Sequence, residues 1–322
     1  MTVVQTLTVD PADDDIRLDR WFKRHYPALT HGRVEKLLRT GQVRVDGARA
    51  KANMRLKAGQ TLRVPPLPEG AETPKRVPGE VSAKDAAFIK AMVIHRDDDM
   101  IVLNKPSGLA VQGGSKTTRH IDGMLDALKF GHEERPRLVH RLDRDTSGLL
   151  LLARNAKAAA RLGHLFQAGE IEKTYWAVVH GTPRIPRGTI DAALIKTGGK
   201  GHEKMAWDDE AGRDAVTDYY TVTQAAPRFA WLALLPRTGR THQIRVHCAI
   251  MEHPIVGDVK YGAPADFGGG DVEGLGRHLA LHARKVVVPR PGQQPLTLEA
   301  ALPEHMQRLF AALGFTERDA VQ

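Results

Sequence analysis

Apolar residues near the start of the chain recur at helical spacing, and then they alternate. Residues 17–26 place Leu18, Trp21 and Phe22 on one face, and a second amphipathic pattern follows Thr30. Beyond it, alternating valines and an Asp46-Gly47 turn predict a strand pair, closed by a strand over residues 60–64. The pattern therefore predicts a small module of two helices and a hairpin sheet.

A change of composition separates this module from the rest of the chain. Residues 65–78 contain five prolines and have no apolar period, which is typical of a linker. We therefore divide the chain into a small domain at residues 1–65, a Pro-rich linker at 66–90, and a larger domain at 91–315.

The larger domain mixes strand and helix patterns without regular alternation. Strands are predicted at 100–103, 174–179, 217–222, 230–235 and 285–288, and helices at 156–167 and 304–313. An irregular order of this kind favours an α+β domain with a mainly antiparallel mixed sheet over a doubly wound fold.

Charge and composition narrow the class of protein. The longest aliphatic run, residues 149–153, is far shorter than the roughly 20 residues of a membrane-spanning helix, and the acidic N-terminus does not resemble a secretion signal. We therefore expect a cytoplasmic protein that does not bind membranes. The single cysteine, Cys248, excludes an internal disulfide and a Cys-x-x-Cys zinc site.

The positive charge is concentrated in the small module. The chain has a net charge of +9, and residues 16–64 alone carry thirteen Lys or Arg against three Asp or Glu. Such a density predicts contact with a polyanion such as nucleic acid, although a solvated helix face is the plainer alternative. The candidate contacts on the second helix and the following strand are Arg33, Lys36, Arg39 and Arg44.

The densest polar cluster of the larger domain interrupts an apolar stretch at residues 138–148. Arg141 and Arg144 flank Asp143, which favours a carboxylate available as a nucleophile or base. Asp145 lies two residues later, and spacing alone does not choose between the two carboxylates. The sequence Asp-Thr-Ser-Gly at 145–148 is also ordinary turn chemistry.

Two further clusters could take part in chemistry. Residues 237–247 contain three arginines and two histidines where a strand leads into a helix, an arrangement suited to binding anions. His242 and His247 are five residues apart, which does not match a helical zinc pair, so we expect no metal there. Tyr175 lies in a predicted strand, where a lone tyrosine is more often a packing residue than a functional one.

Together these segments resemble the RluA family of pseudouridine synthases. The matching segments are NKPSGLAVQGG (104–114), LVHRLDRDTSGLLLLA (138–153), KTYWAVVHG (173–181), RTGRTHQIRVH with HPIVGDVKYG (237–262) and LALHA (279–283). The basic module resembles an S4 RNA-binding domain. The combination is most similar to the RluC-type branch, which modifies several uridines of large-subunit ribosomal RNA.

The resemblance implies a role for individual residues. Asp143 matches the catalytic aspartate, Tyr175 the aromatic residue that stacks on the target base, and Arg245 the partner that forms a salt bridge with the aspartate. Leu281 matches an apolar wall of the pocket, and Arg141 the side chain that fills the space left by the flipped base. We add Arg240 and His242 as further RNA contacts.

The chemistry implied by the resemblance needs no cofactor. The N1 glycosidic bond breaks, C5 joins the sugar and the C5 proton leaves, after the base has been flipped out of its stack. Whether the aspartate attacks C1′ or removes a sugar proton stays open. We expect a monomer that acts on free large-subunit ribosomal RNA or an assembly intermediate, and residues 195–213 are a candidate RNA-contacting loop.

Two other functions compete with this interpretation. Asp143-Arg-Asp145-Thr146 could belong to a magnesium-dependent phosphohydrolase, although the threonine comes one residue too early for the Asp-x-Asp-x-Thr form. Alternatively, the chain could be a non-catalytic RNA-binding or ribosome-assembly factor in which only the basic module is functional.

Overall fold

The chain folds as two compact units. A computed structural model describes residues 4–26, 29–67, 81–113, 117, 119–199, 203–262 and 278–321. The first unit comprises residues 1–80 and the second residues 81–322, since most residue contacts lie within one or the other. Residues 68–80, the most proline-rich part of the predicted linker, lie outside the described residues.

The first unit contains both predicted helices and the predicted hairpin. Its elements are β1 (Gln5–Thr8), α1 (Leu18–His25), α2 (His31–Arg39), β2 (Arg44–Val45), β3 (Ala48–Arg49) and β4 (Thr61–Val64). The four strands form an antiparallel sheet in the order β1-β4-β2-β3. Leu18, Trp21 and Phe22 are buried in its core, as their helical spacing predicts. Strand β1 was not predicted, because four residues are too short to show a period.

One part of the predicted linker is a helix instead. Helix α3 (Ala83–Ala91) belongs to the second unit and occupies most of the range 82–90. The Ser82 hydroxyl oxygen accepts a hydrogen bond from the backbone N–H of Asp85 and caps the first turn, and Ile89 is fully buried. Alanine-rich sequence with an N-cap favours a helix, so residues 83–91 have regular structure where composition alone indicated a linker.

The second unit is built around one large sheet. After α3 it contains the strands β5 (Val93–Arg96), β6 (Met100–Lys105), β7 (Arg137–Leu138), β8 (Ser147–Ala153), β9 (Glu172–His180), β10 (Arg187–Asp191), β11 (Leu194–Thr197), β12 (Lys204–Trp207), β13 (Val216–Ala225), β14 (Phe229–Pro236), β15 (Leu281–Val288) and β16 (Leu296–Glu299). Its remaining α-helices, among the described residues, are α4 (Ile121–Met124), α5 (Ala156–Ala168), α6 (Gln243–Ile250) and α7 (Glu304–Leu313).

Ten of these strands form the sheet, in the order β10-β13-β14-β9-β15-β8-β6-β5, with β16 beside β15 and β7 beside β8. Among the described strands, β8 and β15 are the one parallel pair. The predicted fold class, an α+β domain with a mainly antiparallel mixed sheet, is confirmed. Strands β11 and β12 form a separate hairpin.

The four central strands of the sheet bring together the segments singled out from the sequence. The loop at 139–146 leads into β8, Tyr175 lies on β9, Leu281 begins β15, and β14 ends just before Arg237. Strand order places β14, β9, β15 and β8 side by side. Apolar clusters pack against these strands. In the described part of the chain, no helix has the length and apolarity needed to cross a membrane.

The contact between β8 and β15 requires a glycine. Gly148 has a φ of +106°, and a Cβ atom there would lie 2.3 Å from the carbonyl oxygen and 2.7 Å from the amide nitrogen of Ala283. Backbone atoms cannot yield as a flexible side chain can. The glycine after Asp-Thr-Ser is therefore what lets β8 start beside β15.

We predict that Gly148→Ala lowers the free energy of unfolding by about 3 kcal/mol or more, because it adds backbone overlap to an unfavourable φ. Urea denaturation measures the change. The control is Gly163→Ala in α5, where a Cβ meets no atom within 4 Å. Alanine in a helix is favoured there by about 1 kcal/mol, so the control should be neutral or stabilising. Equal effects of the two substitutions would contradict the steric argument.

Candidate active site

A cavity of about 570 Å³ opens at the central strands. This volume lies within the roughly 300–1,000 Å³ of small-molecule pockets. The loop at 139–146, strand β9, the turn after β14, the start of α6 and Leu281 of β15 line it. The cavity therefore gathers side chains from segments that are far apart in the sequence.

Asp143 lies in this cavity, with 18% of its side chain exposed. Its Oδ2 is 3.8 Å from Arg245 Nη1 and 3.8 Å from His242 Nε2. These distances are longer than hydrogen bonds, so the contacts are electrostatic and leave the carboxylate oxygens available to a ligand. Asp145, the other candidate, is absent from the described residues that line the cavity.

A second carboxylate fixes Arg245. Asp258 accepts two hydrogen bonds from the guanidinium, from Nε and Nη2, each at 2.7 Å. Asp258 Oδ1 also accepts the backbone N–H groups of Lys260 and Tyr261. Burial opposes the ionisation of Asp258, but these hydrogen bonds and the charge of Arg245 hold its pKa below the ordinary value. The bidentate pair leaves Nη1 directed at Asp143.

Tyr175 and Leu281 are among the apolar residues that line the cavity. Tyr175 is half-buried on β9, and Leu281 is buried on β15, the adjacent strand. Burial, together with the nearby charge of Asp143, raises the pKa of the Tyr175 hydroxyl. Tyr175 is thus a neutral aromatic ring beside the carboxylate.

The other charged lining residues are basic. Asp143 is the one acidic side chain among the described residues that line the cavity, and its basic counterparts are Arg141, Lys173, Arg237, Arg240 and Arg245. A cleft with one sign of charge concentrates ions of the opposite sign. Such a cavity suits a polyanion that presents one neutral group to one carboxylate.

Gln243 holds the turn that carries Arg237 and Arg240. Its side chain is buried, and its Oε1 accepts hydrogen bonds from Thr238 Oγ1 at 2.7 Å and from the backbone N–H of Arg240 at 3.0 Å. Its Nε2 donates to Val216 O and to Thr217 Oγ1. Every polar atom of the amide is therefore used to shape the turn.

The two histidines of this cluster have different surroundings. His242, half-buried with a φ of +54°, immediately precedes α6 and faces Asp143. His247 is fully buried, and its ring nitrogens contact Thr217 Oγ1 and the Ala192 carbonyl oxygen. His247 therefore supports the fold, whereas His242 belongs to the cavity.

Lys105 supports the loop at 139–146 from within the protein. It is fully buried, and its Nζ donates at 2.9 Å to the carbonyl oxygens of Pro106, Leu109 and Arg144. Burial lowers the pKa of Lys105 to about 7, although the charges of Asp145 and Asp143 act in the opposite direction. The lysine thus ties the backbone next to Asp143 to the loop after β6.

In the first unit, the four predicted RNA contacts share one property. All are exposed, and none forms an ion pair with another described residue: Arg33, Lys36, Arg39 and Arg44. The buried residues of α2, Val34, Leu37 and Leu38, occupy the opposite face. The charges of the four basic residues are therefore available to an anionic partner.

Sequence reasoning missed the residues that support the cavity. Lys105 could have been noticed as a charge at the end of an apolar run, since such a group needs partners when buried. Asp258 and Tyr261 lie in a quoted segment but give no local signal of their contact with Arg245 and His242. Gln243 could be recognised only after the turn was known.

Comparison with protein families identifies both units. Residues 99–250 match the model described as RNA pseudouridylate synthase, and residues 16–62 match the S4 domain. The resemblance found in the sequence is confirmed for both.

Individual proteins similar to this chain are also pseudouridine synthases. RNA pseudouridine synthase 4, mitochondrial, of Arabidopsis thaliana is 35% identical over 91% of this chain and 78% of its own length. Ribosomal large subunit pseudouridine synthase C of Rickettsia conorii is 34% identical over 91% of this chain and 95% of its own. The solved structure of human RNA pseudouridylate synthase domain containing 4 superposes with a TM-score of 0.61 at 28% identity, covering 72% of this chain and 97% of that one.

We predict that Lys105 makes the stability of the protein rise with pH. Its folded pKa lies below the value of about 10.4 for an unfolded lysine, so between these values the folded state binds fewer protons. From about pH 7.5 to about pH 8.5 the free energy of unfolding should rise by about 1 kcal/mol, as measured by urea denaturation.

The matched variant for this prediction is Lys105→Met. It has no titrating group at this position, so its stability should change little over the same interval. If the free energy of unfolding of the variant rose equally, titratable groups other than Lys105 would be responsible.

Proposed function

The chain belongs to the RNA pseudouridylate synthase family, and we propose that it isomerises uridines of large-subunit ribosomal RNA, with Asp143 acting directly on the ribose. Membership of this family, with an S4 domain, makes the protein an isomerase that acts on RNA. The choice of ribosomal RNA rests on the names of relatives such as the Rickettsia protein, which matches over nearly its whole length.

One observation carries the choice of Asp143. It is the single carboxylate among the described residues lining a cavity that also holds five basic side chains and Tyr175. The phosphates of RNA are attracted to the basic rim, and the carboxylate faces the space where a nucleoside fits. Asp145 lies outside this lining, which disfavours a two-aspartate phosphohydrolase.

The reaction is balanced within one nucleotide. The N1–C1′ bond breaks, a C5–C1′ bond forms, the proton on C5 leaves to solvent, and N1 ends with a proton. Asp143 acts on the sugar, as nucleophile or base, while the uracil turns within the cavity. Arg245 places a fixed positive charge 3.8 Å from the carboxylate and aims it.

The target base must leave the RNA stack to reach Asp143, at a cost of a few kcal/mol. The Tyr175 ring offers a stacking surface worth roughly 1–3 kcal/mol, and Leu281 closes the pocket beside it. Arg141 is exposed at the cavity, where its guanidinium can take the position that the flipped base vacates. Arg240 and His242 complete the proposed contacts with the nucleotide.

The exposed cations of α2 and β2 supply affinity that does not depend on sequence. Arg33, Lys36, Arg39 and Arg44 bind phosphates in this proposal, while the cavity selects the nucleotide. The monomeric state, the cytoplasmic location, the use of free ribosomal RNA and the predicted domain boundaries stay predictions.

We predict that Asp143→Asn abolishes tritium release from RNA labelled at uridine C5, because the amide cannot act on the sugar. RNA binding should persist in a filter-binding assay. Asp145→Asn is the matched control, since its side chain is half-exposed and outside the cavity lining. It should retain release within about threefold, less than the tenfold change that 1.4 kcal/mol would produce.

The RNA substrate in this assay tests the second half of the proposal. Large-subunit ribosomal RNA should release tritium, and small-subunit ribosomal RNA labelled in the same way should not. Wild-type release by Asp143→Asn would refute the catalytic assignment. Release from the small-subunit RNA alone would refute the choice of substrate.

We also predict that replacing Arg33, Lys36, Arg39 and Arg44 together by Gln weakens RNA binding and its dependence on salt. Loss of four phosphate contacts should reduce the slope of log K against log salt by roughly 3. The control replaces Arg55 and Lys57 by Gln, because both already pair with Asp15. An equal slope for the wild type and the fourfold variant would exclude these residues as phosphate contacts.

A further inference from the structure

A chain of contacts leads from the β11–β12 hairpin to Asp143. The backbone N–H of Met205, on β12, donates a hydrogen bond to the Tyr261 hydroxyl at 2.9 Å. That hydroxyl lies 2.7 Å from His242 Nδ1, and His242 Nε2 lies 3.8 Å from Asp143 Oδ2. Three consecutive contacts thus connect a backbone amide to the catalytic carboxylate.

The first contact favours one position for the proton in the second. The Tyr261 oxygen accepts the Met205 N–H, so its own proton is free to be donated to His242 Nδ1. A neutral histidine that accepts at Nδ1 carries its proton on Nε2. The N–H group of the ring is then the one that faces Asp143.

The ring is held neutral by its surroundings. Burial lowers the pKa of His242, and the charges of Arg245 and Lys260 lower it further, while Asp143 and Asp258 act in the opposite direction. The Tyr261 hydroxyl, 2.7 Å from Nδ1, donates to the unprotonated nitrogen in this arrangement. His242 therefore serves as a neutral donor rather than a second cation beside Asp143.

Asp258 anchors Arg245, which faces Asp143, and Tyr261, which contacts His242. It binds the Arg245 guanidinium, and it accepts the backbone N–H of Tyr261 at 3.1 Å. The guanidinium of Arg245 lies over the Tyr261 ring at 5.1 Å, and the ring meets His242 edge-on at 5.5 Å. Tyr261 therefore has little freedom to move independently of the cavity.

We propose that Tyr261 is a positioning residue, which fixes the tautomer of His242 so that its Nε2–H group orients Asp143. The proposal rests on the proposed function, since it gives a purpose to the placement of Asp143. It also gives the β11–β12 hairpin a role besides the RNA contact expected for residues 195–213, because the Met205 amide directs the Tyr261 proton towards the His242 ring. Tyr261 itself touches neither the carboxylate nor, in this proposal, the substrate.

The test is Tyr261→Phe in the full-length protein, in the tritium-release assay. Loss of the hydroxyl should lower kcat by about 10- to 100-fold, as supporting residues around reactive groups typically do, with KM for RNA within about twofold. The acidic limb of the kcat profile should move to higher pH, because the lost hydrogen bond favoured the unprotonated ring. Tyr219→Phe, which removes a hydroxyl bonded to the Ile185 carbonyl oxygen, is the matched control and should behave as wild type.

A double substitution separates positioning from packing. His242→Gln keeps a side-chain N–H donor but has no tautomer to fix. Adding Tyr261→Phe to His242→Gln should therefore change kcat less than about twofold, a coupling that independent sites do not show. An equal loss in both backgrounds would make Tyr261 merely structural and overturn the proposal.

Nitrogen NMR of the wild type gives a direct reading that does not require any variant to be active. The His242 signals, assigned by their loss in His242→Gln, should show a proton on Nε2 and none on Nδ1. A proton on Nδ1 would overturn the proposal. If Asp143→Asn retains release in the same assay, the proposed function fails. If Asp143→Asn abolishes release but Tyr261→Phe releases tritium as fast as the wild type, the positioning role of Tyr261 fails and the proposed function stands.

Discussion

The buried pair between Asp258 and Arg245 is the interaction on which the cavity depends. The carboxylate takes two guanidinium hydrogen bonds and two backbone N–H groups, so its charge is fully compensated. Removal of one partner from such a pair is strongly destabilising, at about 3–5 kcal/mol, because the other charge stays buried. The same pair fixes the segment after α6 and aims a cation at Asp143. The Asp258–Arg245 contact therefore supports both the local fold and the placement of charge beside Asp143.

Much of the fold could be predicted because its signals are local. The apolar face of α1, the Asp46-Gly47 turn and the long strands of the second unit follow from the spacing of neighbouring residues. Short elements such as β1 and the β11–β12 hairpin have too few residues to show a period. Helix α3 was missed because the linker predicted from the proline-rich composition was continued past Ser82, the residue that caps the start of the helix.

The site was predicted less completely, for a physical reason. The sequence alone left Asp143 and Asp145 as alternatives. The family resemblance implies Asp143, which is also the one of the two that lines the cavity. The residues around Asp143 act through contacts between distant segments. Lys105 bonds a carbonyl 39 residues away, and Tyr261 contacts His242 across 19 residues. No periodicity encodes such pairs, so they appear only when strand order brings their segments together.

The position of β15 has a consequence for synthesis of the protein. This strand is made late, yet it lies between β8 and β9, which are made much earlier. Until residues 281–288 have emerged from the ribosome, β8 and β9 lack their shared neighbour and each exposes an unpaired edge. The first unit, whose contacts are closer in sequence, faces no such delay. A nascent chain would thus be able to hold RNA before it could modify it.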